Sequence, residues 1–439
     1  MAHFPRISAD KNFLFASIGP SLKASQKAAL GLVALGFLLN PWLLKSLFSP
    51  DGILESSTKL LISTFDSLTV AFGLGWLIVA SSQGVDSLFL AQRTHRFALR
   101  CCLSVGTVIV LVACAEGICG LINYCAHASL GSYEEEYHSI INTHDPVLGY
   151  RLIPGGIARV HIKEHGRTVM RATYMLDTFG RRKTPPPASG PLKGTVLFFG
   201  DSFTFGEWVD DNETMPFAIS QLARQYQVYN YGVPGYGPQH LLAKLESGEL
   251  ASELGKPAAP VTLVYTFIDS HVKRAIGSMH YYAAWMADCP LYVFNADKTG
   301  VVRRGSFRTG RPRHSFLYGL VGRSQVFRLI HFDWPRRISR RDINLVCSMI
   351  EASRDRFKLL FGSDRFYVLF YPGSDLVQKM APRLASRGIS VLDYSHLVNW
   401  DDKKYHLPAD DHPNPQTHRL IAEQIARDLK LSESGLDRP

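Results

Sequence analysis

The chain is poor in the features that mark metal-binding and nucleic-acid proteins. It has 439 residues and only seven cysteines. Five of these (Cys101, Cys102, Cys114, Cys119, Cys125) lie in or beside one apolar segment and lack the paired spacing of a metal site, so small apolar packing is their default role. Only Cys289 and Cys347 fall well inside the remainder, where a single disulfide is open if that part faces an oxidising compartment. No internal repeat or low-complexity tract occurs. The formal net charge is +10, with clusters at Arg303, Arg304, Arg308, Arg311 and Arg313 and at Arg336, Arg337, Arg340 and Arg341. These can attract polyanions or lipid headgroups, although a solvated basic surface is the plainer reading. No stacking aromatics interleave with them and no nucleic-acid motif is present, which sets nucleic acid aside.

What is present divides unevenly. With 46% hydrophobic and 20% charged residues the chain suits two or three folded units. Apolar runs concentrate in the first 125 residues, at about 28–48, 60–82 and 102–124. Each is near the length of about 20 residues that a helix needs to cross the hydrocarbon. Arg6, Lys11, Lys23 and Lys27 precede the first run, and Arg93, Arg96 and Arg100 crowd the loop before the third. Lys and Arg are retained in short cytoplasmic segments. The expectation is therefore an integral membrane protein with a cytoplasmic N-terminus and an extracytoplasmic C-terminal domain, periplasmic in a two-membrane bacterium. Asp66 and Glu116 fall inside these runs; helix pairing through Glu116, Gly117 and Gly120 is the preferred account of the second.

Residues 126–190 carry short alternating runs (ARVHIKEH, TVMRATYML) and end in the Pro-rich KTPPPASGP, which reads as a small β-rich collar and linker. From 191 to 439, apolar strands (TVLFF, QVYNY, VTLVYTF, FYVLFY, ISVLDYS) alternate with helical patterns. That alternation predicts an α/β domain with a parallel sheet covered on both faces. Aromatic and Arg-rich sequence over 272–340 interrupts it and would serve as a lid or substrate wall.

The first of these strands runs into Gly200, Asp201, Ser202, Phe203, Thr204, Phe205 and Gly206. Ligands bind outside the carboxyl ends of parallel strands, so Ser202 is positioned for chemistry, although a turn in which Asp201 or Ser202 caps the next helix is the bland alternative. Near the other end, Asp410, Asp411, His412, Pro413 and Asn414 precede a helix that Asn414 can cap. A serine hydroxyl needs a neutral imidazole to take its proton, and the imidazole needs a carboxylate to fix its tautomer. His412 and Asp410 supply both, with Asp411 as the less favoured carboxylate.

These two motifs, in this order, resemble the first and last signature blocks of the SGNH (GDSL-type) hydrolase family over about 191–430. The resemblance implies a three-layer α/β/α flavodoxin-like fold, hydrolysis of esters or thioesters, and no metal or organic cofactor. The family's second block matches Asn230 to Gly235 and makes Gly235 an oxyanion donor beside the Ser202 amide. Its third block departs: Ile268 stands where the family has an Asn side chain that donates. Ser270, His271 and Arg274 are candidate replacements, with Asp201 and Asp269 as site support. The leading expectation is a membrane-anchored serine esterase acting on O-acyl, first acetyl, esters of an envelope or exported polysaccharide. The alternatives are an O-acyltransferase using the same Ser–His pair and a non-catalytic carbohydrate-binding module. Expected partners are an acylated small molecule or polysaccharide and membrane lipid, and no nucleic acid.

Overall fold

A computed structural model describes residues 26, 27, 29–31, 33, 34, 70, 74, 107, 110–123, 134–137 and 141–431, apart from 165, 166 and 409. The expected membrane runs at 28–48 and 60–82 thus lie almost wholly outside the described residues, and the third is described at 107 and 110–123, all helical. No helix of the described residues is long and apolar enough to cross a membrane. The chain divides into two units, one of residues 1–46 and 52–114 and one of 47–51 and 115–439.

Strands β1 (Glu134–Tyr137), β2 (Ile157–Glu164) and β3 (Arg167–Met175) form an antiparallel sheet in that order. The α/β layer follows. Strands β4 (Gly194–Gly200), β5 (Tyr226–Gly232), β6 (Val261–Phe267), β9 (Phe366–Phe370) and β10 (Ser390–Asp393) make one parallel sheet of order β10-β9-β6-β4-β5. Every residue of β4 and of β6 is buried, as unbroken apolar runs such as TVLFFG and VTLVYTF require when both faces are covered. On one face Leu197, Phe199, Leu263 and Val368 pack with side chains of α3 (Pro238–Glu246) and α7 (Arg340–Phe361), among them Leu241, Val346 and Ile350. On the other, Val196, Phe198, Val264 and Leu369 meet Met215 and Ile219 of α2 (Met215–Leu222) and Ile421 and Ile425 of α9 (Pro415–Asp428). Helix α8 (Val377–Ala385) joins β9 to β10.

Helix α4 (Ser270–Ile276) leads from β6 into the segment that interrupts the alternation. That segment folds as a hairpin, β7 (Pro290–Phe294) with β8 (Val301–Ser306), and the helices α5 (Pro312–Val321) and α6 (Gln325–Leu329). It has a small core of its own from Met279, Tyr282, Met286, Cys289, Leu291, Phe307 and Tyr318. Cys289 and Cys347 are both buried and free, and they lie in separate clusters, so the open disulfide does not form. Burial pushes the Cys289 thiol up to about 12 and that of Cys347 to about 11, which leaves both unreactive.

Candidate active site

Strand β4 ends at Gly200, and the chain turns at once into the one-turn helix α1 (Ser202–Phe205). Asp201 caps it: one carboxylate oxygen accepts from the Phe203 N–H at 3.1 Å. The turn is held from three sides. Strand β5 passes so close that a Cβ on Gly232 would stand 2.3 Å from the Phe205 nitrogen, so only glycine fits there. Two residues earlier, the fully buried Asn230 donates to the carbonyls of Thr204 (3.1 Å) and Phe205 (3.3 Å) while its own oxygen accepts from the Gly232 N–H. From the linker, buried Arg182 donates to the carbonyls of Phe205, Gly206 and Val209 and pairs with Asp211 at 2.7 Å. Arg182 also lies over the rings of Tyr174 and Phe205. These donors neutralise carbonyls that the short helix leaves without intrahelical partners.

Below Ser202 lies a buried ionic cluster. The second Asp201 oxygen accepts from Arg274 Nη1 at 2.6 Å and sits 3.3 Å from His271 Nε2, and all three side chains are nearly or fully buried. Burial by itself would raise the Asp201 pKa, but Arg274 and His271 more than offset it and hold the carboxyl well below its ordinary range. Arg274 also donates to the Tyr236 carbonyl at 2.9 Å, and His271 Nδ1 meets the Tyr265 hydroxyl at 2.9 Å. Burial lowers the His271 pKa, and Asp201 only partly counters it.

The C-terminal motif reaches the same edge of the sheet. Residues 410–413 form a short strand paired with His406–Leu407, and this strand packs against α1. The His412 and Phe203 rings are 5.2 Å apart between centroids, and His412 Nε2 is 3.5 Å from a Glu207 carboxylate oxygen. The turn carrying Ser202, which is itself 4% exposed, and the strand carrying His412 therefore sit together. Asn414 caps α9, accepting from the Thr417 N–H at 3.0 Å. Asp411 is exposed, and the side chain of Asp410 lies outside the described ones. Asp269 turns elsewhere: it accepts from Ser374 Oγ at 2.6 Å and the Asp375 N–H at 3.0 Å, which braces the loop after β9. Burial leads in raising its pKa.

Gly235 has φ +83°, and a Cβ there would stand 2.5 Å from the Tyr150 hydroxyl and 2.8 Å from Trp285 Nε1. The interrupting segment thus forms a wall here, with Trp285 against Tyr281 (5.2 Å) and the Arg274 guanidinium 5.6 Å from the Tyr281 ring. Of the three candidates for the donor missing at Ile268, His271 and Arg274 are engaged with Asp201. The Ser270 hydroxyl is buried with no hydrogen-bond partner in the protein. A cavity of about 50 Å³ lies on the collar side of Gly232 and Tyr236; neither Ser202 nor His412 lines it.

Sequence reading missed Arg182, Glu207 and the tethering role of Asn230. The first sits in a linker where a lone arginine carries no signal. The last was used only to locate Gly235, although an Asn at the end of a fully apolar strand is itself a signal of a committed buried amide.

No protein-family model matches the chain, and no curated protein matches it. Among solved structures, it is similar to a member of the lipolytic protein G-D-S-L family from Veillonella parvula DSM 2008. That match has 14% identity, a TM-score of 0.30 and coverage of 54% of this chain and 97% of the other. An acetyl xylan esterase from the rumen bacterium Butyrivibrio proteoclasticus is similar at 11% identity and TM-score 0.33, covering 69% and 100%. A Corynascus thermopiles carbohydrate esterase family 2 enzyme with its carbohydrate-binding domain is similar at 12% identity and TM-score 0.30, covering 68% and 88%.

Proposed function

We propose that the chain is a serine esterase of the SGNH type, with Ser202 as nucleophile and His412 as its base. The packing of the His412 strand on the Ser202 turn, at the carboxyl edge of a parallel sheet, carries this reading. In the mechanism, His412 takes the Ser202 proton as the oxygen attacks an acyl carbonyl. The Ser202 and Gly235 amides hold the developing oxyanion, with the Ser270 hydroxyl as third donor in place of the absent Asn. Protonation of the leaving alkoxide by His412 releases the alcohol, and water, deprotonated by the same imidazole, releases the acyl group. Asp410 orients the imidazole.

The substrate we assign is an O-acetyl ester of an envelope or exported polysaccharide. The Tyr281–Trp285 wall beside Gly235 supports this, since aromatic faces suit sugar rings. The N-terminal apolar runs anchor the chain in a membrane, with the catalytic unit on the extracytoplasmic side. Labelling by a fluorophosphonate probe, lost in Ser202→Ala, together with acetate release from acetylated xylan, is the expected result. Absence of labelling would leave a binding module, and acyl transfer to an added acceptor without free acetate would make it an acyltransferase.

A further inference from the structure

The apolar helix 110–123 does not end as a free stalk. Within the second unit, Glu116, Gly120 and Asn123 share one stripe at spacings of four and three residues, and all three meet the start of α6. The Glu116 carboxylate accepts from Ser324 Oγ and from the Gln325 N–H (2.6 Å). Asn123 Nδ2 lies 3.2 Å from Gln325 Oε1 and 3.3 Å from the Gln325 carbonyl. A Cβ on Gly120 would touch Gln325 Cγ at 3.5 Å. Glu116, Gly120 and Asn123 thus meet the interrupting segment, while a Cβ on Gly117 would have nothing within 4 Å. The stretch from Glu116 to Asn123 spans about 10 Å at the helical rise.

The surface around this joint is apolar and rimmed by cations. Ile118 and Leu121 on the helix are 59% and 63% exposed, and Phe316 of α5 and Ile330 just after α6 are 72% and 60% exposed. Arg313, Arg323 and Arg328, on or between α5 and α6, are exposed as well. Apolar side chains flanked by arginines match the boundary between acyl chains and anionic headgroups, where interfacial helices lie about 5–10 Å deep.

We propose that α5 and α6 form a membrane-surface element that rests on an anionic phospholipid bilayer and is pinned to the apolar helix by Glu116 and Asn123. The proposal rests on the reading that the apolar helix enters a membrane. Because the wall residues Tyr281 and Trp285 belong to the same interrupting segment, and Arg311 ties α5 to the Ile276 carbonyl at 2.8 Å, the candidate site is then held close to the lipid surface.

The test uses the full chain in phosphatidylcholine vesicles with or without phosphatidylglycerol. Photoreactive p-benzoylphenylalanine is placed singly at position 121, 316, 330 or 359, and lipid adducts are read by mass spectrometry. Leu359, on α7 and 71% exposed, is the control for exposure alone. Lipid adducts at 121, 316 and 330 but not 359, with those at 316 and 330 falling when phosphatidylglycerol is omitted, are expected. Adducts at 121 with 316 and 330 as silent as 359 would overturn the surface element and leave the anchor standing. No adduct at 121 would overturn the anchor and the proposal together.

Discussion

Replacing Arg274 by methionine tests the ionic floor of the site. The substitution keeps most of the side-chain volume and removes the guanidinium, leaving the fully buried Asp201 with the Phe203 N–H and His271, at 3.3 Å, as its partners. Breaking a buried pair by deleting one partner costs about 3–5 kcal/mol. For a unit of this size each kcal/mol moves Tm by about 1–2 °C, so the expected loss is about 3–10 °C at neutral pH.

The pH dependence fixes the cause. In the native protein Asp201 titrates below its unfolded value of about 3.9. Its ionisation therefore contributes stability that is complete above that value and lost as pH falls through the folded one. In Arg274→Met, burial dominates and places the folded value above the unfolded one. The penalty is then complete at neutral pH and relieved on acidification, when Asp201 or His271 takes up a proton. The Tm gap between the native protein and the variant should narrow between about pH 7 and about pH 5. Asp201→Asn with Arg274→Met should recover much of the loss, since Asn still caps α1. Thermal unfolding followed by intrinsic fluorescence measures each. A Tm loss under about 2 °C, or a gap that widens with acidification, would refute the reasoning.

Other consequences follow from the same geometry. Gly232→Ala drives a Cβ into the backbone at Phe205 and should cost about 1–3 kcal/mol while slowing fluorophosphonate labelling of Ser202; an unchanged labelling rate would mean that the turn tolerates displacement. Ser270→Ala should lower kcat for an acetyl ester by about a hundredfold or more with little change in Tm, as loss of an oxyanion donor does; an unaffected kcat would exclude its hydroxyl from that role. Asp410→Asn should reduce kcat far more than Glu207→Gln does, and the reverse order would assign the orienting carboxylate to Glu207.

The parallel sheet was legible because its central strands are unbroken apolar runs. Apolar runs buried on both faces became the central β4 and β6, while the mixed β5 and β10 at the sheet's edges were placed by the alternation with helices. The turn carrying Ser202 was legible for a related reason: an apolar strand ending in Gly-Asp-Ser leads into a turn capped by a polar side chain. Less readable were the partners that reach the turn from far along the chain. Arg182 acts across 23 residues to Phe205, and Arg274 across 73 to Asp201; such contacts depend on which strands become neighbours and leave no local pattern. Glu116 shows the same limit. Its spacing with Gly120 marks a packing stripe, yet nothing near it in the sequence identifies Ser324 and Gln325, about 208 positions away, as its partners.

The carboxylates around Ser202 divide into those already committed and those available to a base. Asp201 is held by Arg274 and by the α1 cap, Asp211 by Arg182, and Asp269 by Ser374 and the Asp375 amide. Each is bound to a group at the sheet edge, so turning any of them toward an imidazole would break the turn for Asp201 and Asp211 or the loop after β9 for Asp269. Glu207 approaches Nε2, the nitrogen that in this mechanism takes the serine proton, rather than the Nδ1 an orienting carboxylate would hold. Its negative charge beside that nitrogen would stabilise the imidazolium formed on attack, a separate role from orientation and the reason the two substitutions should differ in size.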